Sequence, residues 1–322
     1  MSASSSSSSP STASPPLPPI PAVAAPTSVD VTEAAYLCAR TNSGRSHTHE
    51  LPPTTAGKKF PKIVLTPKEQ AHYDRVVGRL LYRTVQEYSA FNGEMDRSQW
   101  TSVRKNHDMS IYRSLKGTGD PRVTLMLGVG KFDGYLEDVM DGMYSENTEE
   151  LRKVLTFVNV KFITGSIMHV SERRTPVDRF NFAGIKWYTT KTPGGAVSYD
   201  RDVLVYERQG VTFDANGDEI GYHLIQSVDR PEWPANMFKN VIRSHMSTCY
   251  LYKRKGNRVE TFFLGEIFAR GSFPQRISDF AIAGKWIQVV NAVKCSLARK
   301  LSQLKENLQN RSSSSSITIS DM

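Results

Sequence analysis

The stretch "SYDRDVLVYERQG", Ser198 to Gly210, is rich in Val, Leu and Tyr and reads as a β-strand, yet it opens on two adjacent opposite charges, Arg201 and Asp202. Neighbouring residues on a strand point to opposite faces, so these two cannot neutralise each other, and each needs a partner elsewhere. Alternation sets Asp202, Leu204, Tyr206 and Arg208 on one face and Arg201, Val203, Val205 and Glu207 on the other. Both faces are mixed, so alternation alone does not say which looks inward.

Working outward, strand character recurs in "KFITGSIMHVSE", "FNFAGIKWYTTK", "GYHLIQSVD", "NVIRSHMSTCYLYKRKG" and "RVETFFLGEIFARG", and earlier in "WTSVRKNHDMSIYRSLKG" and "RVTLMLGVGKF". Two short helical patterns, "GYLEDVMDGMYS" and "TEELRKVLTFV", separate these two groups. In front stands "TPKEQAHYDRVVGRLLYRTVQEYSAF", where Thr66 and Glu69 have capping-box spacing, Pro67 suits a first helical turn, and Tyr73, Val77, Leu80, Leu81 and Tyr88 recur at helical period. At the end, Trp286, Val290, Val293, Leu297, Leu301, Leu304 and Leu308 form one apolar stripe, widened by Phe280, Ala283 and Ile287, which predicts a continuous helix from Gln275 to about Gln309. This order belongs to α+β proteins with a strongly curved antiparallel β-sheet, and a sheet curved around one long helix can enclose an apolar space.

Composition sets the outer limits. Of 322 residues, 39% are hydrophobic and 10% aromatic, enough for a genuine core. Residues 1–57 begin with a Ser/Pro tract too poor in large apolar groups to fold, and 311–322 form a second Ser-rich tail; both are expected to be disordered, leaving 58–310 as one domain. No run approaches the roughly 18 apolar residues of a membrane span, and the N-terminus has no continuous apolar h-region, so a cytoplasmic location is expected. Three scattered cysteines, Cys38, Cys249 and Cys295, support neither a disulfide framework nor a zinc site, and no metal or cofactor is expected. The net charge of +9 suits an anionic membrane surface or nucleic acid. For nucleic acid the best stretch is "YLYKRKGNR", but its basic residues sit where a hairpin tip is expected and charge is ordinarily just solvated, so no nucleic-acid partner is expected. No nucleophile elbow, zinc-protease motif or phosphate loop occurs, which argues against an enzyme.

Four stretches in this order resemble the START family of lipid-binding helix-grip domains: the Arg-Asp strand with Arg201, Asp202 and Arg208; "SVDRPEWPANMFKNVIRS", with Ser227, Val228, Pro231, Pro234 and Arg243; the turn "GSFPQRISDFAIAG"; and the front segment "WTSVRKNHDMSIYRSLKG". The resemblance spans roughly Thr66 to Gln309 and is greatest to the START-like proteins of oomycetes, without the FYVE finger those often carry, since three scattered cysteines cannot build one.

The resemblance implies a curved antiparallel sheet wrapped around the terminal helix, a hydrophobic tunnel between them, and non-catalytic binding of a lipid or similar ligand, for transfer or for sensing at membranes. It makes Arg201, Asp202, Tyr206, Arg243, Phe280, Trp286, Val290, Val293 and Leu297 candidate ligand contacts. Arg201 and Asp202 have a second reading, bracing the sheet, with Arg243 as the partner of Asp202. Candidate gates are the loop with Gly194 and Gly195 and the loop with Trp233 and Phe238; Trp233 either enters a membrane interface during transient peripheral contact or anchors its loop on the domain. A scaffold with a filled tunnel is the alternative, and an enzyme of the wider superfamily the next. Oligomeric state and the identity of the lipid are not legible.

Overall fold

The capping box at Thr66 closes in both directions in the computed structural model, which describes residues 61–159, 161–192, 199–235, 237–268 and 274–317, with side chains as far as 311. The Thr66 hydroxyl accepts from the Glu69 backbone N–H at 3.2 Å while the Glu69 carboxylate accepts from the Thr66 N–H at 2.8 Å, and Pro67 starts the first helix, α1 (Pro67–Ala90). Three antiparallel strands follow, β1 (Trp100–Lys105), β2 (Met109–Ser114) and β3 (Thr124–Asp133), then two short helices, α2 (Leu136–Met143) and α3 (Thr148–Val158). The remaining strands are β4 (Phe162–Glu172), β5 (Phe182–Thr190), β6 (Asp200–Phe213), β7 (Glu219–Ser227), β8 (Val241–Arg243), β9 (His245–Lys255) and β10 (Arg258–Phe268).

Among the described residues these make one sheet in the order β1-β2-β3-β10-β9-β7-β6-β5-β4, with β8 alongside β6. Every pairing is antiparallel except the parallel pair β6–β8. Irregular register in β1 and at three places in β4 adds bend, and the sheet is curved.

Alternation along the strands divides the apolar side chains into two cores. On the concave face Met126, Phe132, Tyr250, Tyr252 and Phe263 pack with α2 and with Ile282, Trp286 and Val289. On the convex face Leu127, Leu204, Tyr206, Leu251 and Phe262 pack with Val77, Tyr73, Leu80 and Leu81 of α1. A sheet covered on both faces needs apolar residues on both, which is why alternation along β6 carried no direction.

Two expected elements break. "NVIRSHMSTCYLYKRKG" is two strands, because the Ser244 N–H leaves the ladder to donate to the Asp202 carbonyl at 2.9 Å. The terminal helix is not continuous: α4 (Gln275–Trp286) passes through a 3₁₀ turn, Ile287–Asn291, into α5 (Ala292–Ile317), whose backbone stays helical past the expected boundary at Asn310. The 3₁₀ turn tightens the helix where Ile287 and Val289 enter the concave core, and so rotates the apolar stripe out of register. Leu297, Leu301, Leu304 and Leu308 are accordingly exposed, at 48%, 67%, 59% and 65%. The start of α5 is held instead by α2, where Ser296 and Lys300 donate to Asp138 at 3.0 and 2.5 Å and the Ala292 carbonyl rests on Gly142.

Candidate ligand cavity

Between the concave face and α4 lies a cavity of about 230 Å³. Three strand residues on one face, Lys186, Tyr188 and Thr190, contribute its floor from β5, and Arg201, Val203 and Glu207 from β6. The inward face of β6 is therefore the odd one. Its apolar middle is closed by Val154 and Leu155 of α3 and by Ile282, Trp286 and Val289.

The cavity has two polar poles. At one, Lys186, 1% exposed, donates to Glu207 at 2.6 Å and to Ser145 Oγ at 2.8 Å, with its ammonium 4.2 Å from the centre of the Phe182 ring. His223 Nε2 lies 3.2 Å from the same Glu207 oxygen, and the imidazole stacks on Tyr250. Burial pushes the Glu207 carboxyl up, but Lys186 and His223 outweigh it and hold the group at about 2. At the other pole Lys285 donates to Thr190 Oγ1 at 2.7 Å, and Thr190 is the cross-strand partner of Arg201. Burial, reinforced by the charges of Arg201 and Lys161, pushes Lys285 down to about 8. Thr190 is four residues from Lys186 along β5, so the poles stand roughly 13 Å apart at about 3.3 Å per residue.

Of the residues expected at the ligand, the structure brings Arg201 and Trp286 to this cavity. Asp202 and Arg243 face the other way: the Arg243 Nε and Nη2 donate to Asp202 Oδ1 and Oδ2 at 3.0 and 2.9 Å, and Trp187 Nε1 donates to Oδ2 at 2.9 Å. That is the bracing arrangement. Tyr206 also points to the convex face, donating to Asp74 of α1 at 2.7 Å. Val290 and Val293 pack against the concave core outside the cavity, Val293 over Gly134. Phe280 is 53% exposed with the Arg104 guanidinium 4.4 Å above its ring, and Leu297 is exposed because the 3₁₀ turn displaces the stripe.

In the second gate loop Trp233 is 4% exposed, edge-on to Trp187 with centroids 5.3 Å apart, and Phe238 stacks on Trp187 at the same distance. In this conformation Trp233 anchors its loop on the domain. Gly194 and Gly195 lie outside the described residues. Sequence reasoning missed Lys186, His223 and Lys285. The available signal was a lone lysine inside the apolar run "FAGIKWYTT", flanked by Ile185 and Trp187, a position costly for a charge without a partner.

Among the described residues no three or more His, Cys, Asp or Glu side chains are grouped to hold a metal ion, and no helix is long and apolar enough to cross a membrane. No protein-family model matches the chain, and no curated protein matches it. Among solved structures it is similar to human STARD10, at 15% identity over 76% of this chain and 86% of that one, with a TM-score of 0.46. It is also similar to human StAR-related lipid transfer protein 5, at 13% identity over 70% and 99% and a TM-score of 0.49. A third is a fragment of the STAR-related lipid transfer protein from Xanthomonas axonopodis, at 10% identity over 61% and 96% and a TM-score of 0.44. The sheet order and the terminal helix held on its concave face make the described body an α+β fold of the helix-grip type, a curved antiparallel sheet around a terminal helix.

Proposed function

We propose that the protein binds one hydrophobic or amphipathic ligand, a lipid or a molecule like one, in the cavity under α4, and that it works by binding and release rather than by catalysis. The observation that carries this reading is the cavity itself, an apolar middle between two polar poles, enclosed by a helix that ends in a 3₁₀ turn. Burying alkyl chain there contributes about 0.8 kcal/mol per methylene, so tight retention needs no covalent bond. A volume of about 230 Å³ lies below the about 300–1,000 Å³ usual for small-molecule sites, which favours one chain over two. Exchange on this reading requires α4 to move from the sheet, while Trp233 stays packed against Trp187. Transient contact with a membrane during exchange, anionic in view of the basic chain, belongs to this reading.

Native mass spectrometry of the full-length protein incubated with a eukaryotic lipid extract tests it. A stoichiometric adduct of one lipid class is expected. A clean ligand-free mass from folded protein overturns the reading in favour of a scaffold with a filled core.

A further inference from the structure

The cavity's two poles differ in charge. At the Lys186 pole the charges are matched, with Glu207 set between Lys186 and His223. At the other pole Lys285 makes its hydrogen bond to a neutral hydroxyl, Thr190 Oγ1, and has no ion pair among the described residues. The side chain of Arg201, cross-strand from Thr190 and on the same concave face, reaches the backbone carbonyls of Tyr199 and Asp200, at 2.5 and 3.4 Å. The charge of Asp200 favours both cations, but its carboxylate makes no ion pair with Lys285 among the described residues. Arg122, another cation lining the cavity, is already paired with Asp120 at 2.6 Å. The internal segments outside the described residues contain no Asp or Glu, so none of them can bring a carboxylate to this end.

A partly buried ammonium is costly unless an anion meets it. From this we infer that the cavity takes a single-chain amphiphile with an anionic head, a carboxylate or a phosphate, seated between Lys285 and Arg201 with its chain running toward the Lys186 pole. The proposal rests on the binding reading above and adds the class of ligand. The roughly 13 Å between poles matches the reach of a chain of about ten carbons, using 3.3 Å per residue along β5. Arg and Lys differ in what they offer: the guanidinium supplies a planar fork and the ammonium a point charge, a combination suited to an oxyanion with more than one free oxygen.

Titration calorimetry on delipidated full-length protein distinguishes the possibilities, with dodecanoate, dodecanol and inorganic phosphate as probes. Dodecanoate is expected to bind about tenfold or more tighter than dodecanol, as one charge-assisted hydrogen bond implies. Lys285→Met should remove most of that preference, bringing the affinity for dodecanoate toward that for dodecanol. Equal affinity for dodecanoate and dodecanol in the unmodified protein overturns the anionic subsite and leaves hydrophobic binding standing; binding of neither overturns both. Phosphate that binds alone and in a Lys285-dependent way, with no gain from a chain, supports the anion site but overturns the amphiphile as its occupant. Because the dodecanoate-to-dodecanol comparison is made on the unmodified protein, it stands whether or not the variant folds.

Discussion

Arg243 on β8 closes a double hydrogen bond on Asp202 of β6, both side chains 2% exposed, and so fixes the only parallel pairing in the described sheet. The pair answers the charges at the head of β6: Asp202 is satisfied on the convex face by Arg243 and Trp187, which leaves Arg201 to the concave one.

Removing one partner strands a buried charge. Asp202→Ala or Arg243→Met should each cost about 3–5 kcal/mol of unfolding free energy in urea titration, whereas the double replacement Asp202→Leu with Arg243→Met should recover most of the loss. A double variant no more stable than the singles would show that the pair does more than offset its own desolvation.

Lys285 makes stability depend on pH with a definite sign. Its folded value of about 8 lies below its ordinary 10.5, so between those values the unfolded chain binds the extra proton and stability contributed by this site rises with pH. Lys285→Met should therefore stabilise the ligand-free protein by at most about 3 kcal/mol at neutral pH, less whatever residual solvent contact returns, with the advantage shrinking from pH 8 toward pH 10.5. Urea midpoints of both proteins across that range test it; a difference independent of pH would refute the assignment. The comparison between variants cancels the buried tyrosines, which titrate in both.

Gly142 is required by a close approach. A Cβ built there lies 1.9 Å from the Ala292 carbonyl oxygen, a backbone atom that cannot rotate away. Gly142→Ala should push α5 off α2 and cost about 1–3 kcal/mol, the range for overpacking, although alanine is the better helix former. An unchanged melting temperature would mean that α5 docks more loosely than this contact implies.

On the proposed binding reading, the lid is α4 with the 3₁₀ turn rather than α5. Val289→Glu should abolish retention of a bound lipid in native mass spectrometry, because the carboxylate enters the apolar middle of the cavity. Leu297→Glu, on an exposed position, should leave retention unchanged. Loss of retention in a folded Leu297→Glu protein would return the lid to the outer helix.

By itself the sequence determined the order of the elements, because each rests on local signals: the capping box at Thr66, the alternation along β6, the turn residues around Gly256. It also bounded Asp202 correctly as a residue needing a distant partner, and named Arg243. Only the tertiary structure decided which face of β6 looks inward, since helices cover both faces and both must be apolar. It alone decided where the terminal stripe stops being core, because a 3₁₀ turn is set by what Ile287 and Val289 pack against and leaves no mark on the spacing. The cavity's charged poles were out of reach for the same reason: Lys186 and Glu207, and Lys285 and Thr190, meet across strands and helices far apart in the chain, and local periodicity has no information about contacts of that separation.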